Sequence, residues 1–456
     1  MVNGKLFFVS LILFLAVRGF AQTELPKIVS VSKTSDETRT NIDGAKPLTL
    51  AEAVELALKQ ASNFKAAQIN EQIAAEDVRQ AKTGFYPKIS VQPNLIYTSP
   101  SFSKPNDATQ RPPSFLGANA ITEYQGLINA AGEIDVSGKL KATLERSRAM
   151  LESARKGSEI ARRELIQAVG DAYFNLALAT TKRRGAAENL QSAEGFEANV
   201  KLQLDAGEVA PVDLVRARLQ TAQRRDELIQ AQTEETVAAD VFRFFVGFDF
   251  NAPVAAEELL IQLPQTDEID RYTETAIAAR PEFAQFEADK KAAEADIKIA
   301  RSERKPQINY SVSGGFISDS LRANRVGNST GVQAGIGVTI PLFDWGASRS
   351  RETQAKLKLQ QTENNKLLAE RQFVQQFYTA RTQAVSAASR IKKLGASITD
   401  AEINLSASLA RYRAGEASIV EVTDAQNLLI AQRQSLYQAI FDYQTARARL
   451  LRAIGQ

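Results

Sequence analysis

The chain has 456 residues, 56 of them basic and 53 acidic, and its net charge of +3 gives no reason to expect a nucleic-acid partner. It holds no cysteine and no histidine, and methionine only at Met1 and Met150. Disulfides are thereby excluded, no metal or other cofactor is expected, and a hydrolase or metalloenzyme loses its commonest nucleophile–base pairs and ligands. Abundant Ala, Gln, Leu, Glu, Lys and Arg is instead the composition of long helices.

In chain order, Lys5 precedes an apolar run from Leu6 to Val17, and Gly19-Phe20-Ala21 follows. This pattern predicts a signal peptide over residues 1–21, cleaved after Ala21. The alternative, a membrane anchor, needs ~20 apolar residues, and the run is about a dozen. With no cysteine behind it, no N-terminal lipid anchor is expected. Residues 22–46 are polar and predicted to be loose. A helix is expected over 48–84, stopping before Pro87 as the residue-before-proline rule requires. Alternating segments follow at Ile89–Tyr97 and Glu123–Val136, each with one apolar and one wet face. Between them lies a loop at about 99–120. A proline-free helical stretch then runs over about 139–205. At 1.5 Å per residue such a helix spans ~100 Å. It ends at Ala206-Gly207, where glycine can take the left-handed cap. A return helix over 211–246 begins with Pro211, which is tolerated in a first turn. Residues 248–268 are irregular.

The same order then recurs. A helix is expected over 269–304 before Pro306, and strands over Gln307–Phe316 and Val332–Ile340 with a loop at 317–329. A long helix over 347–413 ends at Ala414-Gly415, and a return helix covers 418–453. One constant shift carries Phe64 to Phe283, Asp77 to Asp296, Ala81 to Ala300, Pro87 to Pro306 and Ile89 to Ile308. A second, slightly smaller shift carries Gly207, Glu208 and Val212 to Gly415, Glu416 and Val420. The simplest interpretation is a two-fold duplication of a unit of about 200 residues.

Four strands of about ten residues have the length of bilayer-crossing β-strands. A lone four-stranded sheet, however, leaves two open edges, which do not occur in hydrocarbon because unpaired N–H and C=O groups there cost several kcal/mol each. Membrane barrels begin at about eight strands. One chain therefore cannot close a barrel, whereas three chains give twelve strands. The ~100 Å helices likewise need equally long neighbours. A soluble coiled-coil rod with incidental β segments is the bland alternative, but it does not explain four matched alternating segments.

Three short motifs, in this order and with this duplication, resemble the TolC family of outer-membrane factors over about residues 47–455. They are Gly84-Phe85-Tyr86-Pro87-Lys88-Ile89, Pro341-Leu342-Phe343-Asp344-Trp345-Gly346, and Tyr412-Arg413-Ala414-Gly415 followed by Ile419 to Gln426. The resemblance implies a mixed α/β membrane protein. Its fold would be a trimeric 12-stranded β-barrel, four strands per chain, continuous with a long periplasmic α-helical barrel and internally duplicated. It divides the chain into the signal peptide 1–21, a periplasmic N-terminal segment 22–46, a first repeat 47–247, an equatorial linker 248–268 and a second repeat 269–456. The implied function is a passive exit duct in a tripartite efflux or type I secretion system, open to drugs, metals, small molecules or proteins. Its implied partners are outer-membrane lipid, two further copies of the chain, a periplasmic adaptor, and an inner-membrane transporter driven by protons or ATP.

Residue by residue, both hairpins would turn at the tunnel's tip. Glu421 and Asp424 match two lumen-facing acids, and lying three apart they share one helix face. Threefold symmetry would gather six such carboxylates around one axis, favouring cations. Asp213 and Tyr412 match an aspartate and a tyrosine that some members tie to an arginine. Ala417 stands where that arginine would be, which leaves a tyrosine–aspartate hydrogen bond as the expected remnant of the latch. Gly207, Glu208, Gly415 and Glu416 are the expected adaptor contacts. A periplasmic adaptor is the competing class, since adaptors also carry long helical hairpins. Those have one hairpin flanked by small β domains, not a duplicated alternation of strands and helices.

Overall fold

In a computed structural model, the structure describes residues 47–99, 122–257 and 266–455. The expected signal peptide, the 22–46 segment, the 99–120 loop beyond its first residue and residues 258–265 of the linker lie outside the described residues.

The N-terminal helix is two helices. α1 (Leu50–Lys59) opens on a capping box in which Thr49 Oγ1 accepts from the Glu52 amide and Glu52 returns a bond to the Thr49 amide. α2 (Asn63–Thr83) starts afresh because Ser62 is extended and its hydroxyl accepts from the Lys65 amide. This corrects the unbroken helix expected over 48–84: a second N-cap outcompetes propagation through Gln60-Ala61. The strand β1 (Lys88–Tyr97) and the strand β2 (Thr122–Ile134) follow, then α3 (Lys139–Asp205) and α4 (Pro211–Val246).

After a short α5 (Thr266–Asp270) and a 3-10 turn (Glu274–Ala279), α6 (Pro281–Ser302) begins on its own proline. The helix expected over 269–304 is thus also divided, because Arg280, preceding a proline, is forced out of helical geometry. β3 (Gln307–Ser318) and β4 (Thr330–Thr339) flank a short α7 (Ala323–Asn328) where a plain loop was expected. The chain finishes with α8 (Ala347–Arg413) and α9 (Ile419–Ala453). α3 and α8 each contain 67 residues, and each starts behind a left-handed glycine, Gly138 or Gly346.

The strands form one antiparallel sheet in the order β1-β2-β3-β4. Its register separates two chemistries. Ser90, Asn129, Ser313 and Gln333 lie in line across one face, where Ser313 Oγ donates to Asn129 Oδ1 at 3.1 Å. Val91, Ile128, Gly314 and Val332 lie in line across the other, joined by Ile89, Leu95, Tyr97, Val312, Ile336 and Val338. Where this face lacks a side chain, at Gly126, the ring of Phe316 covers the gap; a Cβ there would stand 2.5 Å from that ring. The apolar face is bare, with Val332 at 80 % and Ile336 at 74 % exposure. Within the protomer β1 and β4 each have one neighbour, so both edges of the sheet are open.

The helices form a wall beside this sheet. α2 and α4 both pack on α3, and α6 and α9 both pack on α8, so shorter helices share the length of each long one. α6 and α9 also contact α3, which joins the two halves. Midway along the wall two apolar cores form. In one, Leu176 and Val169 of α3 and Phe242 and Val246 of α4 close over Ala53 and Ala57 of α1 and Val254. In the other, Phe377 and Ile391 of α8 and Ile440 and Leu450 of α9 close over Ile269 and Ile277. Fully burying such a side chain is worth about 1.5–3 kcal/mol. The Leu48 amide donates to the Ala255 carbonyl at 2.9 Å and the Glu257 amide to Tyr173 Oη at 3.1 Å, tying the described part of the linker to the wall.

Near the sheet, Glu352 in the second turn of α8 receives Lys356 at 2.9 Å, Arg301 Nε at 3.0 Å and Arg304. Hydrogen bonds from Lys356 and then Arg301 hold its carboxyl down to about 2. A carboxyl lowered in the folded state stabilises it fully above the ordinary value of 4.5, and the contribution is lost as pH falls through about 2. Glu352→Gln is therefore expected to lower the thermal unfolding midpoint by a few degrees at neutral pH, with the gap to wild type closing as the pH is taken down through that window.

Candidate functional site at the hairpin tips

Both long helices end in the same turn. The Glu208 amide donates to the Gln203 carbonyl at 2.9 Å, and the Glu416 amide to the Arg411 carbonyl at 2.9 Å. Gly207 (φ 78°) and Gly415 (φ 74°) supply the left-handed residue that such a cap needs. The two turns lie side by side, because one apolar cluster takes Phe196, Val200, Leu214 and Ala217 from the first hairpin and Tyr412, Ile419 and Val422 from the second. Leu204, Val209, Leu409 and Ala417 close its margin. Ala417 is thus a small packing residue.

Tyr412 is 8 % exposed, with its ring 5.7 Å from that of Phe196. Its buried hydroxyl has no hydrogen-bond partner among the described residues. Burial, and then the charge of Asp213, push the phenol above its ordinary value. Asp213 is close enough to be felt but does not accept the proton; its carboxylate faces Arg216, one turn further along α4, at 3.6 Å. The hydrogen bond expected between Tyr412 and Asp213 is therefore not made within the protomer, because the ring is held by the cluster and the aspartate by an arginine of its own helix. Tyr412→Phe is expected to leave stability within ~1 kcal/mol of wild type, since it deletes an unsatisfied group. Tyr412→Ala, which empties the cluster, is expected to cost about 3–5 kcal/mol in equilibrium unfolding.

The acids on α9 are not equivalent. Glu421 binds Arg411, which lies as far before Glu416 as Glu421 lies after it, so the turn itself brings them together. Asp424 is exposed and has no ion-pair partner among the described residues. Above the turns a polar seam that composition did not reveal joins the hairpins. Gln220 Nε2 donates to Gln426 Oε1 at 2.5 Å, Thr423 Oγ1 donates to Gln220 Oε1 at 3.4 Å, and buried Arg224 binds Asn427 and Glu227. Apart from the local Arg224–Glu227 pair, each of these contacts crosses from one hairpin to the other, so no local spacing signals it. Arg216 was legible as the i+3 neighbour of Asp213, and Arg411 as the mirror of Glu421 about the turn.

The family model described as outer membrane efflux protein matches residues 53–243 and 273–456, and the chain belongs to that family. Protein CyaE of Bordetella pertussis is 25 % identical over 422 residues, covering 91 % of this chain and 85 % of that protein. The cation efflux system protein CusC of Escherichia coli K12 is 25 % identical over 348 residues, 74 % of each chain. Among solved structures, the Campylobacter jejuni CmeC outer membrane channel superposes with a TM-score of 0.81 at 19 % identity, covering 89 % of this chain and 85 % of that one. A CusC structure superposes at 0.77 with 21 % identity, covering 91 % and 96 %. The class is that of passive outer-membrane channels, not enzymes. This protein is an exit channel of an efflux system, set in the outer membrane with its helices on the periplasmic side. The competing adaptor class has no support from these matches.

Proposed function

We propose that three copies of this chain close a 12-stranded barrel and a continuous helical tunnel, and that this duct carries small molecules or proteins outward. The observation that carries the proposal is the sheet. It has one apolar and one polar face and two unpaired edges, which is stable in lipid only when further copies complete the ring. The internal duplication, with its first repeat 47–247, linker 248–268 and second repeat 269–456, supplies two matched hairpins per copy and six per tunnel. Asp213, Tyr412, Glu421 and Asp424 form the gate where the hairpins converge. Gly207, Glu208, Gly415 and Glu416, at the exposed turns, meet a periplasmic adaptor that links the duct to an inner-membrane transporter. A type I secretion role uses the same geometry with a protein cargo. The cation efflux named for the CusC relative is not carried over, since this chain has no Cys or His and only two Met to hand a soft metal along.

Protein extracted in detergent and added to planar bilayers is expected to give stepwise, cation-selective currents. Insertion without current would contradict the duct.

A further inference from the structure

Where the end of α9 packs between α3 and α8, a cavity of about 290 Å³ opens in the wall. Buried Ala380 and Ala453 back it, and Gln375, Thr379, Gln383 and Arg449 stand exposed around it. Among the described residues no carboxylate lines it. A larger groove further towards the tips, about 600 Å³, sets Glu227 and Glu234 against Lys182 and Arg390, so its charges balance. In the smaller cavity they do not. Arg452 is taken by Glu164 at 3.1 Å and by Gln167. Arg449 has no ion-pair or hydrogen-bond partner among the described residues. Asp171, partly buried on α3, feels the Arg449 charge but makes its hydrogen bond with Gln167; burial pushes its carboxyl up, and Arg449 pulls it back only in part. The cavity thus presents one unneutralised guanidinium among neutral hydrogen-bonding groups. Gln375 Nε2 donates to Thr379 Oγ1 at 3.1 Å, which leaves the Gln375 carbonyl and the Thr379 proton free for other partners.

We propose that this cavity binds a hydroxylated monocarboxylate, a sugar acid in chemical class, on its way along the lumen of the duct. A guanidinium offers one carboxylate a paired fork of donors, and a single net charge suits a monoanion better than a phosphate dianion. Gln375, Thr379 and Gln383 can each donate and accept, as a chain of hydroxyls requires and an apolar cargo does not. The lumen placement rests on the duct proposed above and on the geometry of α8. Arg381 donates to Asp270 at 3.0 Å and Tyr378 to Glu274 at 2.6 Å, so α5 and the 3-10 turn cover that side of the helix. Thr379 is two residues from Arg381, and Gln383 is five from Tyr378. At about 100° per residue they stand on the opposite side. A closed wall covered on one side by added segments keeps its other side for the lumen, and threefold closure sets three such sites at one level.

Gluconate is the probe, and sorbitol, the same carbon skeleton without the carboxylate, is its control. The full-length channel in detergent is titrated with each by isothermal calorimetry. The expected result is one gluconate per chain, bound about tenfold more tightly than sorbitol. Arg449→Gln is expected to weaken gluconate about tenfold and to leave the unfolding midpoint unchanged, since the side chain is exposed and unpaired. Asp171→Asn is expected to tighten gluconate about threefold, because a competing negative charge is gone; a merely structural role for Asp171 predicts no gain. No gluconate binding at millimolar concentration, equal binding of sorbitol, or full affinity in Arg449→Gln would overturn the site. Planar bilayers test where it lies. Gluconate is expected to interrupt the current of wild-type channels, and about tenfold more of it is expected to be needed in Arg449→Gln. Conducting channels that bind gluconate without interruption would overturn the lumen placement. Protein that binds gluconate yet carries no current would overturn the duct while leaving the site.

Discussion

Asp424→Ala is expected to weaken cation block of the channel about tenfold and to raise its conductance in planar bilayers. Three carboxylates ~6 Å from an axial cation in water each contribute about 0.7 kcal/mol per unit charge, and salt removes part of that. The local chemistry singles out Asp424. Glu421 is bound by Arg411 and Asp213 faces Arg216, whereas Asp424 is exposed with no such partner among the described residues. Glu421→Gln is accordingly expected to change block less, because it removes one charge of a pair and releases Arg411 in its place. Unchanged block in Asp424→Ala, or a larger effect from Glu421→Gln, removes Asp424 from the gate.

Gly415→Val is expected to reduce adaptor affinity about tenfold while leaving assembled channels intact. A β-branched residue at φ 74° costs ~1–2 kcal/mol through its backbone alone, and 1.4 kcal/mol is a factor of ten. No neighbour lies within 4 Å of a Cβ at this position, so the penalty falls on the turn and not on packing. Gly395→Ala is the control. It sits within α8 with equally open surroundings, and there alanine is expected to be neutral or to stabilise by roughly 0.5–1 kcal/mol. Binding of purified adaptor to immobilised channel separates the two. Wild-type affinity in Gly415→Val would show that the turn is not the contact.

What was legible in the sequence follows from how local each determinant is. The long helices could be bounded closely because both their starts and their ends are marked by glycines at left-handed positions, and no proline interrupts them. The strands could be placed because alternation puts one chemistry on each face. The breaks at Ser62 and Pro281 were misjudged for a different reason: apolar periodicity continues across them, while a competing N-cap and a pre-proline residue decide the backbone. α7 went unforeseen because Ala323–Asn328 has no apolar rhythm; it is a single helical stretch between two paired strands. At the tip the acids, the turns and the local partners Arg216 and Arg411 were readable, but the contacts that cross between the hairpins were not. The seam of Gln220 with Gln426 and of Arg224 with Asn427 exists only once two distant hairpins pack. The missing Tyr412–Asp213 bond depends on Phe196 and Arg216 holding each side chain elsewhere.

The central claim is that this polypeptide is one sector of a closed wall. The most direct test is the mass of the particle extracted from outer membranes in mild detergent, measured by native mass spectrometry. The account predicts three copies that stay together until heated. A single copy, stable without detergent, would contradict it.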